Sequence, residues 1–420
     1  MKLMGLFNIY KGLPKSVYII FFAQIINRFG DFVMPFLSLL LIKKLGLSYQ
    51  SAGLAVMFAA LSSVPGSFIG GKIADHFGRK KTYLFFQGAA GASLLSCVFF
   101  TNPHIIIALV CISTFLNGGV RPIISAVITD VLPAEKRQQG FSLSYLGINI
   151  GVALGPIVSG FLFNRYIPLI FIGDAITSFI AVALVAFNIE ETMPDKSKCE
   201  STRTEEKHEE GNVITVLLRR PQIIVFLFIT ILLSIVYTQH TFSLPMMLDK
   251  VFSGDGPRYY GINMSFNAVT VLLMTMIVTQ ATKRWHPLSA IAVTGLLYAA
   301  GFGMVALVNS LPLFLVSTYI WTIGEILTVT NFGVYIANNT PQNFRARFNA
   351  VTSLSWAAGA SLGTSVMGIY IDKLGIDAVW PLTFILGILG SIGMYTLKLK
   401  TDKAKTDAVD IGSSASDSEC

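Results

Sequence analysis

The sequence has 420 residues, of which 53% are hydrophobic and 13% are charged, and its net charge is +8. Soluble domains carry about 25% charged residues, so this chain has too few charges to cover a surface that faces water. Nucleic-acid binding is excluded as well, because the basic residues lie in short segments between apolar runs, which is typical of membrane topology signals.

Twelve apolar runs follow one another along the chain, and each is close to the length of about 20 residues that a helix needs to cross a bilayer. The predicted spans cover residues 16–42, 50–72, 83–101, 104–129, 140–164, 166–188, 222–244, 258–281, 287–309, 311–338, 346–371 and 376–397. A long polar segment, Glu190 to Arg220, separates the sixth run from the seventh. It is too charged and too poor in large apolar residues to fold alone, so we interpret it as a flexible linker.

These runs predict an all-α membrane protein with twelve transmembrane helices in two six-helix halves. We assign residues 1–188 to the N-terminal half, 189–221 to a cytoplasmic linker, 222–398 to the C-terminal half and 399–420 to a disordered cytoplasmic tail. The loops on one side contain 22 lysines and arginines, and those on the other side contain 6. By the positive-inside rule, both termini and the linker are expected in the cytoplasm, in a multi-pass protein of the cell (plasma or inner) membrane.

Two six-span halves around a linker are typical of secondary transporters, whose binding site lies where the halves meet. The chain has no GxxxxGK(S/T) phosphate loop and no soluble domain that could hydrolyse a nucleotide. An enzyme is not expected, since the sequence has neither an H-E-x-x-H metal motif nor a nucleophile–base arrangement. A membrane receptor or scaffold is a further alternative, but charges inside the spans argue against it because they are costly there. We expect no cofactor and no metal, with a proton gradient as the energy source.

The loop between the second and third predicted spans carries a distinctive motif. Residues 70–81 read GGKIADHFGRKK. The glycines allow close helix approach, the aspartate can cap a helix end, and the basic residues can anchor the loop at the cytoplasmic face; a merely basic loop is the alternative. The motif resembles the signature loop of the major facilitator superfamily, which implies the major facilitator fold. The conformational residues that this resemblance assigns are Gly71, Asp75, Gly78, Arg79 and Lys80.

The fifth predicted span contains a second motif, GINIGVALGPIVSG at residues 147–160. It resembles an element of twelve-span drug/proton antiporters, with Ser159 in place of one glycine, and the same spacing also serves ordinary helix packing. Small residues permit close packing and proline bends a helix. The predicted packing residues are Gly151, Gly155, Pro156 and Gly160.

A weaker resemblance connects the chain with proton-coupled oligopeptide transporters. It rests on the stretch from span four to span five and on NRFGDF in span one, where Asn27 stands in place of that family's glutamate. The segments ITDVLPAEKR and GEILTVTNFGVYIANNTP instead resemble spans four and ten of Gram-positive-type multidrug/proton antiporters. Ser144 replaces an acidic residue that those antiporters carry in span five, so the resemblance leaves the proton pathway open.

Ionisable side chains inside the spans are costly and therefore indicate functional sites. Glu325 lies in the middle of span ten. Because burial favours the protonated form of a carboxyl group, we predict that Glu325 couples transport to protons; a hydrogen bond across helices is the structural alternative. Asp31 is the second candidate for proton coupling, although it lies three residues from Arg28 and fits an internal ion pair equally well. Asp130 and Asp174 lie near predicted helix ends, where capping or solvation is expected.

Two arginines inside the spans are candidates for substrate binding. Arg28 lies in span one, and Arg121 follows two glycines and precedes Pro122 in span four, which disturbs the helix. Either arginine can meet an anionic substrate group or pair with a carboxylate. Polar and aromatic side chains complete the predicted substrate cavity, although the aromatic rings also fit simple packing and the histidine also fits a solvated position at the interface. They are Asn149, Tyr237, Gln239, His240, Trp321 and Asn331.

We therefore expect a proton-coupled secondary transporter that exports amphipathic or cationic small molecules by alternating access. The alternative is a proton-coupled transporter of a specific solute, such as a peptide, sugar or siderophore, which a cavity with Arg28 and Arg121 would favour. The expected partners are a small-molecule substrate, protons and the lipid bilayer, with no nucleic acid, and the protein is expected to be a monomer.

Overall fold

The computed structural model describes residues 10–193, 217, 220–339 and 345–416. Within this part of the chain all regular structure is helical, and twelve segments are long and apolar enough to cross a membrane. These spans, numbered 1 to 12, are Lys15–Lys44, Tyr49–Phe77, Arg79–Phe99, Pro103–Val131, Glu135–Arg165, Ile167–Asn188, Pro221–Val251, Gly256–Thr282, Pro287–Leu307, Leu311–Ile336, Leu354–Leu374 and Ile376–Lys403. The predicted fold class is confirmed, with most boundaries within a few residues of the prediction.

The predicted linker and tail are described only in part. Most of the linker, residues 194–216 and 218–219, lies outside the described residues, as do the last four residues of the chain. The last helix, Val379–Ser416, extends from span 12 through most of the segment predicted as a tail. Lysine and alanine recur in the sequence of this extension, and both are favourable helix formers.

The first span of each half is interrupted. Span 1 consists of a helix Lys15–Phe29 and a second helix Val33–Leu39, which continues as a short π-helical turn. Span 7 consists of a helix Pro221–Tyr237, a 3-10 turn and a second helix Ser243–Val251. Interrupted helices at corresponding positions of two halves are typical of transporters, where they point to the binding site.

A proline follows both interruptions. Pro35 is the third residue of the second helix in span 1, and Pro245 is the third residue of the second helix in span 7. Proline lacks a backbone N–H and clashes with the carbonyl four residues before it, so it weakens a helix just ahead of it and favours a kink or a break there. In span 1, Gly30 lies in the break, and a Cβ atom on it would overlap the side chain of Thr177. The interrupted spans of the two halves therefore share a proline at the same position of their second helix.

The chain divides into two compact units. The first contains spans 1 to 6 together with His240–Val269 and Thr364–Ile376, which are parts of spans 7, 8 and 11. In this unit span 1 packs against spans 5 and 6, span 2 against span 4, and span 3 against spans 4 and 6. In the second unit span 9 packs against spans 10 and 12, and span 7 packs against span 12. The pairs 9–10, 9–12 and 7–12 correspond to 3–4, 3–6 and 1–6, so the halves repeat part of one packing pattern.

Polar contacts join span ends within the first unit. We call the side on which span 1 begins the proximal side and the opposite one the distal side. On the distal side, Lys43 Nζ of span 1 lies 2.5 Å from Asp249 Oδ1 of span 7. Asp372 of span 11 accepts hydrogen bonds from the backbone N–H groups of Tyr49 and Gln50 at the start of span 2, over 3.2 and 2.8 Å. The distal ends of spans from both halves are thus linked inside one unit.

Candidate transport site

The first unit brings together three of the predicted site residues. Arg28 Nη1 lies 3.1 Å from Asp31 Oδ2, and the two side chains are 21% and 30% exposed. The internal ion pair that the sequence allows is therefore present, and partial exposure keeps its strength modest. Arg121 of span 4 has Arg28 as its strongest electrostatic neighbour and Asp31 as another. The cluster places two guanidinium groups beside one carboxyl group.

A buried carboxyl group from span 6 adjoins this cluster at the break in span 1. Asp174 is only 6% exposed, and its Oδ2 accepts a hydrogen bond from the N–H of Val33 over 3.4 Å. Val33 is the first residue of the second helix of span 1. Of the two alternatives that the sequence allowed for Asp174, capping and solvation, the structure shows capping, because the buried carboxyl group accepts the N–H of the first residue of a helix. Its capping contact is to another span, which the sequence of span 6 gives no means to foresee.

In the second unit Glu325 lies beside a group of aromatic rings. This half-buried residue of span 10 is an electrostatic neighbour of the buried Tyr298 of span 9. Tyr237 of span 7 stacks on Tyr298 with ring centroids 5.7 Å apart, and contacts Trp321 at 6.1 Å and Trp356 of span 11 at 5.7 Å. Trp321 precedes Glu325 by four residues, so both occupy one face of span 10. We call these four rings, contributed by four spans, the aromatic cluster; the sequence prediction missed Tyr298.

Three of the other predicted cavity residues are held by backbone groups. Asn149, Asn331 and Gln239 each donate an amide hydrogen bond to the carbonyl four residues earlier, over 2.8, 2.9 and 2.8 Å. Gln239 also donates to the carbonyl of Gly363 in span 11 over 3.2 Å. His240 is half-buried at the end of the 3-10 turn in span 7. Gln239 thus joins two spans, whereas the two asparagines are held against their own helices.

Arg79 organises the loop between spans 2 and 3. Its Nε donates to Asp130 Oδ2 of span 4 over 2.9 Å, and its Nη1 donates to the carbonyl of Ala74 over 3.0 Å. Its Nη2 lies 3.2 Å from Asp75 Oδ1. One guanidinium group with five donors can satisfy all three acceptors at once. The structure therefore ties two predicted loop residues, Asp75 and Arg79, to span 4.

A third acidic residue, which lies beyond the end of span 6, also holds this loop. Glu191, three residues beyond the end of span 6, accepts hydrogen bonds at Oε1 from the backbone N–H groups of Arg79 and Lys80, over 2.7 and 3.4 Å. These N–H groups begin the helix of span 3, where a negative charge is favourable. The sequence analysis did not identify Glu191. The pattern that indicates it is an acidic residue shortly after the end of a span.

Glycines of span 5 lie where helices approach closely. A Cβ atom on Gly151 or Gly155 would lie 2.6 or 2.5 Å from a carbonyl oxygen of span 1, and one on Gly160 would lie 2.6 Å from a carbonyl oxygen of span 8. Pro156 lies inside the same helix, which continues through it. Gly71 of the signature loop differs, because a Cβ atom there would have its nearest neighbour at 3.9 Å, which is an ordinary contact distance.

Comparison with known proteins identifies the family. The model of the Major Facilitator Superfamily matches residues 20–364. The uncharacterized MFS-type transporter YttB of Bacillus subtilis (strain 168) is 24% identical over 96% of this chain and 100% of its own length. The Na(+), Li(+), K(+)/H(+) antiporter of Planococcus maritimus is 24% identical over 78% of this chain and 82% of its own. The crystal structure of peptide transporter POT in complex with sulfate has a TM-score of 0.74 at 18% identity and covers 94% of this chain and 95% of its own.

These matches extend over both halves of the chain, and they agree with the twelve spans of the structure. The chain therefore belongs to the major facilitator superfamily of membrane transporters and is not an enzyme.

Proposed function

We propose that the protein is a proton-coupled antiporter that exports amphipathic or cationic small molecules by alternating access. The observation that carries this proposal is the carboxyl group of Glu325 next to the aromatic cluster in the second unit. Aromatic faces attract cations, most strongly where water is excluded, and an intramembrane carboxylate adds a negative charge. The Planococcus relative, named as a cation/proton antiporter, supports exchange of this kind.

The mechanism follows from a carboxyl group that holds either a proton or a cationic ligand. Proton entry from outside neutralises Glu325 and removes the charge that retains a cation, so the cation leaves outward. Loss of the proton toward the cytoplasm restores the charge and readies the site for the next ligand. The excess of basic residues in the proximal loops supports a cytoplasmic position for that side in the cell membrane.

Proteoliposomes with an imposed pH gradient and an enclosed pH-sensitive dye test this proposal. Tetraphenylphosphonium, a permanent lipophilic cation, should drive proton movement through the wild-type protein. Glu325→Gln removes the titratable group at nearly constant volume and is expected to abolish that movement. Glu135→Gln, at an exposed acidic residue in the first turn of its helix, is the matched control and should leave it unchanged. Proton movement that persists in Glu325→Gln would remove Glu325 from the mechanism.

A second candidate function rests on the cluster in the first unit. The guanidinium groups of Arg28 and Arg121 suit a solute with an anionic group, so the alternative is proton-coupled transport of a specific solute such as a peptide, sugar or siderophore. A dipeptide added to the same proteoliposome assay separates the two functions. Proton movement with the dipeptide and none with tetraphenylphosphonium would favour the solute transporter.

A further inference from the structure

Span 10 has two opposite faces with exposed side chains. Val316 and Val334 are both exposed, and about five helical turns separate them, so they share one face. Glu325 lies about two and a half turns from each of them and therefore belongs to the opposite face. On that face Val329, one turn beyond Glu325, is 62% exposed. Because a charged side chain inside a span faces a cavity or a partner rather than lipid, the face with Glu325 is the one that a ligand can reach.

Phe332 lies two turns beyond Glu325 on the same face. A rise of about 1.5 Å per residue places it about 10 Å farther along span 10, and the residue is half-buried. Its ring packs on that of the buried Phe226 of span 7, with centroids 5.1 Å apart. The neighbouring Gly333 is exposed and has no atom within 4 Å of a Cβ position. Phe332 is therefore supported from one side, and the structure is open beside it.

Trp356 of span 11 joins Phe332 to the aromatic cluster. The ring centroids of Trp356 and Phe332 are 6.4 Å apart in an edge-to-face arrangement, and Trp356 also contacts Tyr237 at 5.7 Å. The backbone of Trp356 is fixed, because its carbonyl accepts a hydrogen bond from Ser234 Oγ of span 7 over 2.8 Å. Half-buried aromatic rings thus continue from the cluster to Phe332.

We propose that Phe332 and Trp356 form an apolar subsite, which receives the uncharged end of an elongated amphipathic cation whose charged end lies at Glu325. The inference names a substrate class for the proposed antiporter and rests on that function for its role in transport. The two rings and Val329 offer apolar surface to the ligand, and burial of apolar surface favours binding. The preferred ligand therefore has a cationic group and an aromatic group about 10 Å apart.

Isothermal titration calorimetry with phenylalkyltrimethylammonium ions of increasing chain length tests the subsite in the purified full-length protein, without any proton gradient. In the wild type the affinity should rise with chain length until the ring and the nitrogen are about 10 Å apart, and it should level off beyond that length. Phe332→Ala removes the apolar ring and should weaken binding of the longest ions about tenfold. It should leave the affinity for benzyltrimethylammonium unchanged, because this ion is too short to reach Phe332.

Phe228→Ala is the matched control, because Phe228 of span 7 is 73% exposed and lies on the side of its helix away from Phe226. This variant should bind every ion as the wild type does. Phe332→Leu keeps most of the apolar volume and replaces Phe332→Ala if that variant does not insert into the membrane; it should show a smaller loss for the longest ions. Equal affinities of the wild type and the Phe332 variants for the longest ions, or no binding of the series at all, would overturn the subsite.

Proton movement with tetraphenylphosphonium in proteoliposomes separates this subsite from the proposed function. Glu325→Gln should weaken binding of short and long ions alike, whereas Phe332→Ala should affect the long ions alone. Proton movement that requires Glu325, together with ion affinities that do not depend on Phe332, would overturn the subsite and leave antiport standing. A chain-length effect that depends on Phe332, in a protein without any coupled proton movement, would support the subsite and overturn antiport.

Discussion

Gly78 determines how the chain passes from span 2 to span 3. Its φ of 97° and ψ of 154° define a backbone conformation that glycine alone adopts readily. This turn directs the N–H of Arg79 toward Glu191 while the Arg79 side chain reaches Asp75 and Asp130. The contacts of Arg79 with the carboxyl groups of Asp75, Asp130 and Glu191 therefore depend on Gly78.

Gly78→Ala is expected to lower the free energy of unfolding, because a Cβ atom would meet the Glu191 carboxylate and because the strained backbone alone costs about 1–3 kcal/mol. Gly46→Ala is the matched control: Gly46 has a φ of 70° and no atom within 4 Å of a Cβ position, so it carries backbone strain without the collision. Thermal unfolding in detergent should show the larger fall in Tm for Gly78→Ala. Equal falls in Tm for the two variants would show that the overlap with Glu191 does not lower the stability beyond the backbone strain.

At the scale of the elements, the spans were predictable and their interruptions were not. The length of an apolar run is a local property, and it is enough to place a transmembrane helix. Pro35 and Pro245 lie inside such runs. Because proline is tolerated in many transmembrane helices, its presence in these two runs does not by itself predict an interrupted helix. The partner of Asp174 in span 1 was not predictable for a related reason: span 6 is apolar on nearly all faces, and its pattern does not indicate which face meets span 1.

The close contact of spans 1 and 5 gives a prediction for helix packing. Gly155→Ala places a Cβ atom 2.5 Å from the carbonyl oxygen of Phe29, and such overpacking costs about 1–3 kcal/mol. Gly88→Ala, in span 3, meets no atom within 4 Å and should be neutral or stabilise by up to about 1 kcal/mol, the helix propensity difference. Melting temperatures in the same detergent compare the two, and a Gly155→Ala protein as stable as the Gly88→Ala protein would contradict the packing argument.

At the scale of the whole molecule, the sequence indicated the charged residues but not their partners. Arg28 and Asp31 were predictable as a pair because three positions separate them on one helix. The approach of Arg121 and the position of Tyr298 beside Glu325 depend on contacts between spans that are distant in sequence. A single sequence does not indicate which spans contact each other, because neither covariation between positions nor a short turn restricts the pairing of these spans.

The proposed alternating access of the two six-helix halves predicts that the distal contact between Lys43 of span 1 and Asp249 of span 7, which belong to different halves, opens during transport. In a background that lacks the four native cysteines, Lys43→Cys and Asp249→Cys joined by a short, reducible thiol cross-linker should stop transport, and reduction should restore it. Tyr10→Cys with Ser142→Cys is the control, because their hydroxyl groups are 3.0 Å apart within the N-terminal half. Full activity in the cross-linked Lys43–Asp249 pair would mean that this contact stays closed throughout the cycle.

Span 7 belongs to both compact units. The boundary falls between Gln239 and His240, so the helix Pro221–Tyr237 lies in one unit and Ser243–Val251 in the other. The 3-10 turn between them has poorer hydrogen-bond geometry than an α-helix, and its torsion angles can change at lower cost. A short 3-10 stretch inside a helical span often marks a hinge, so the point where the chain passes from one compact unit into the other coincides with the segment of span 7 whose backbone is the easiest to bend.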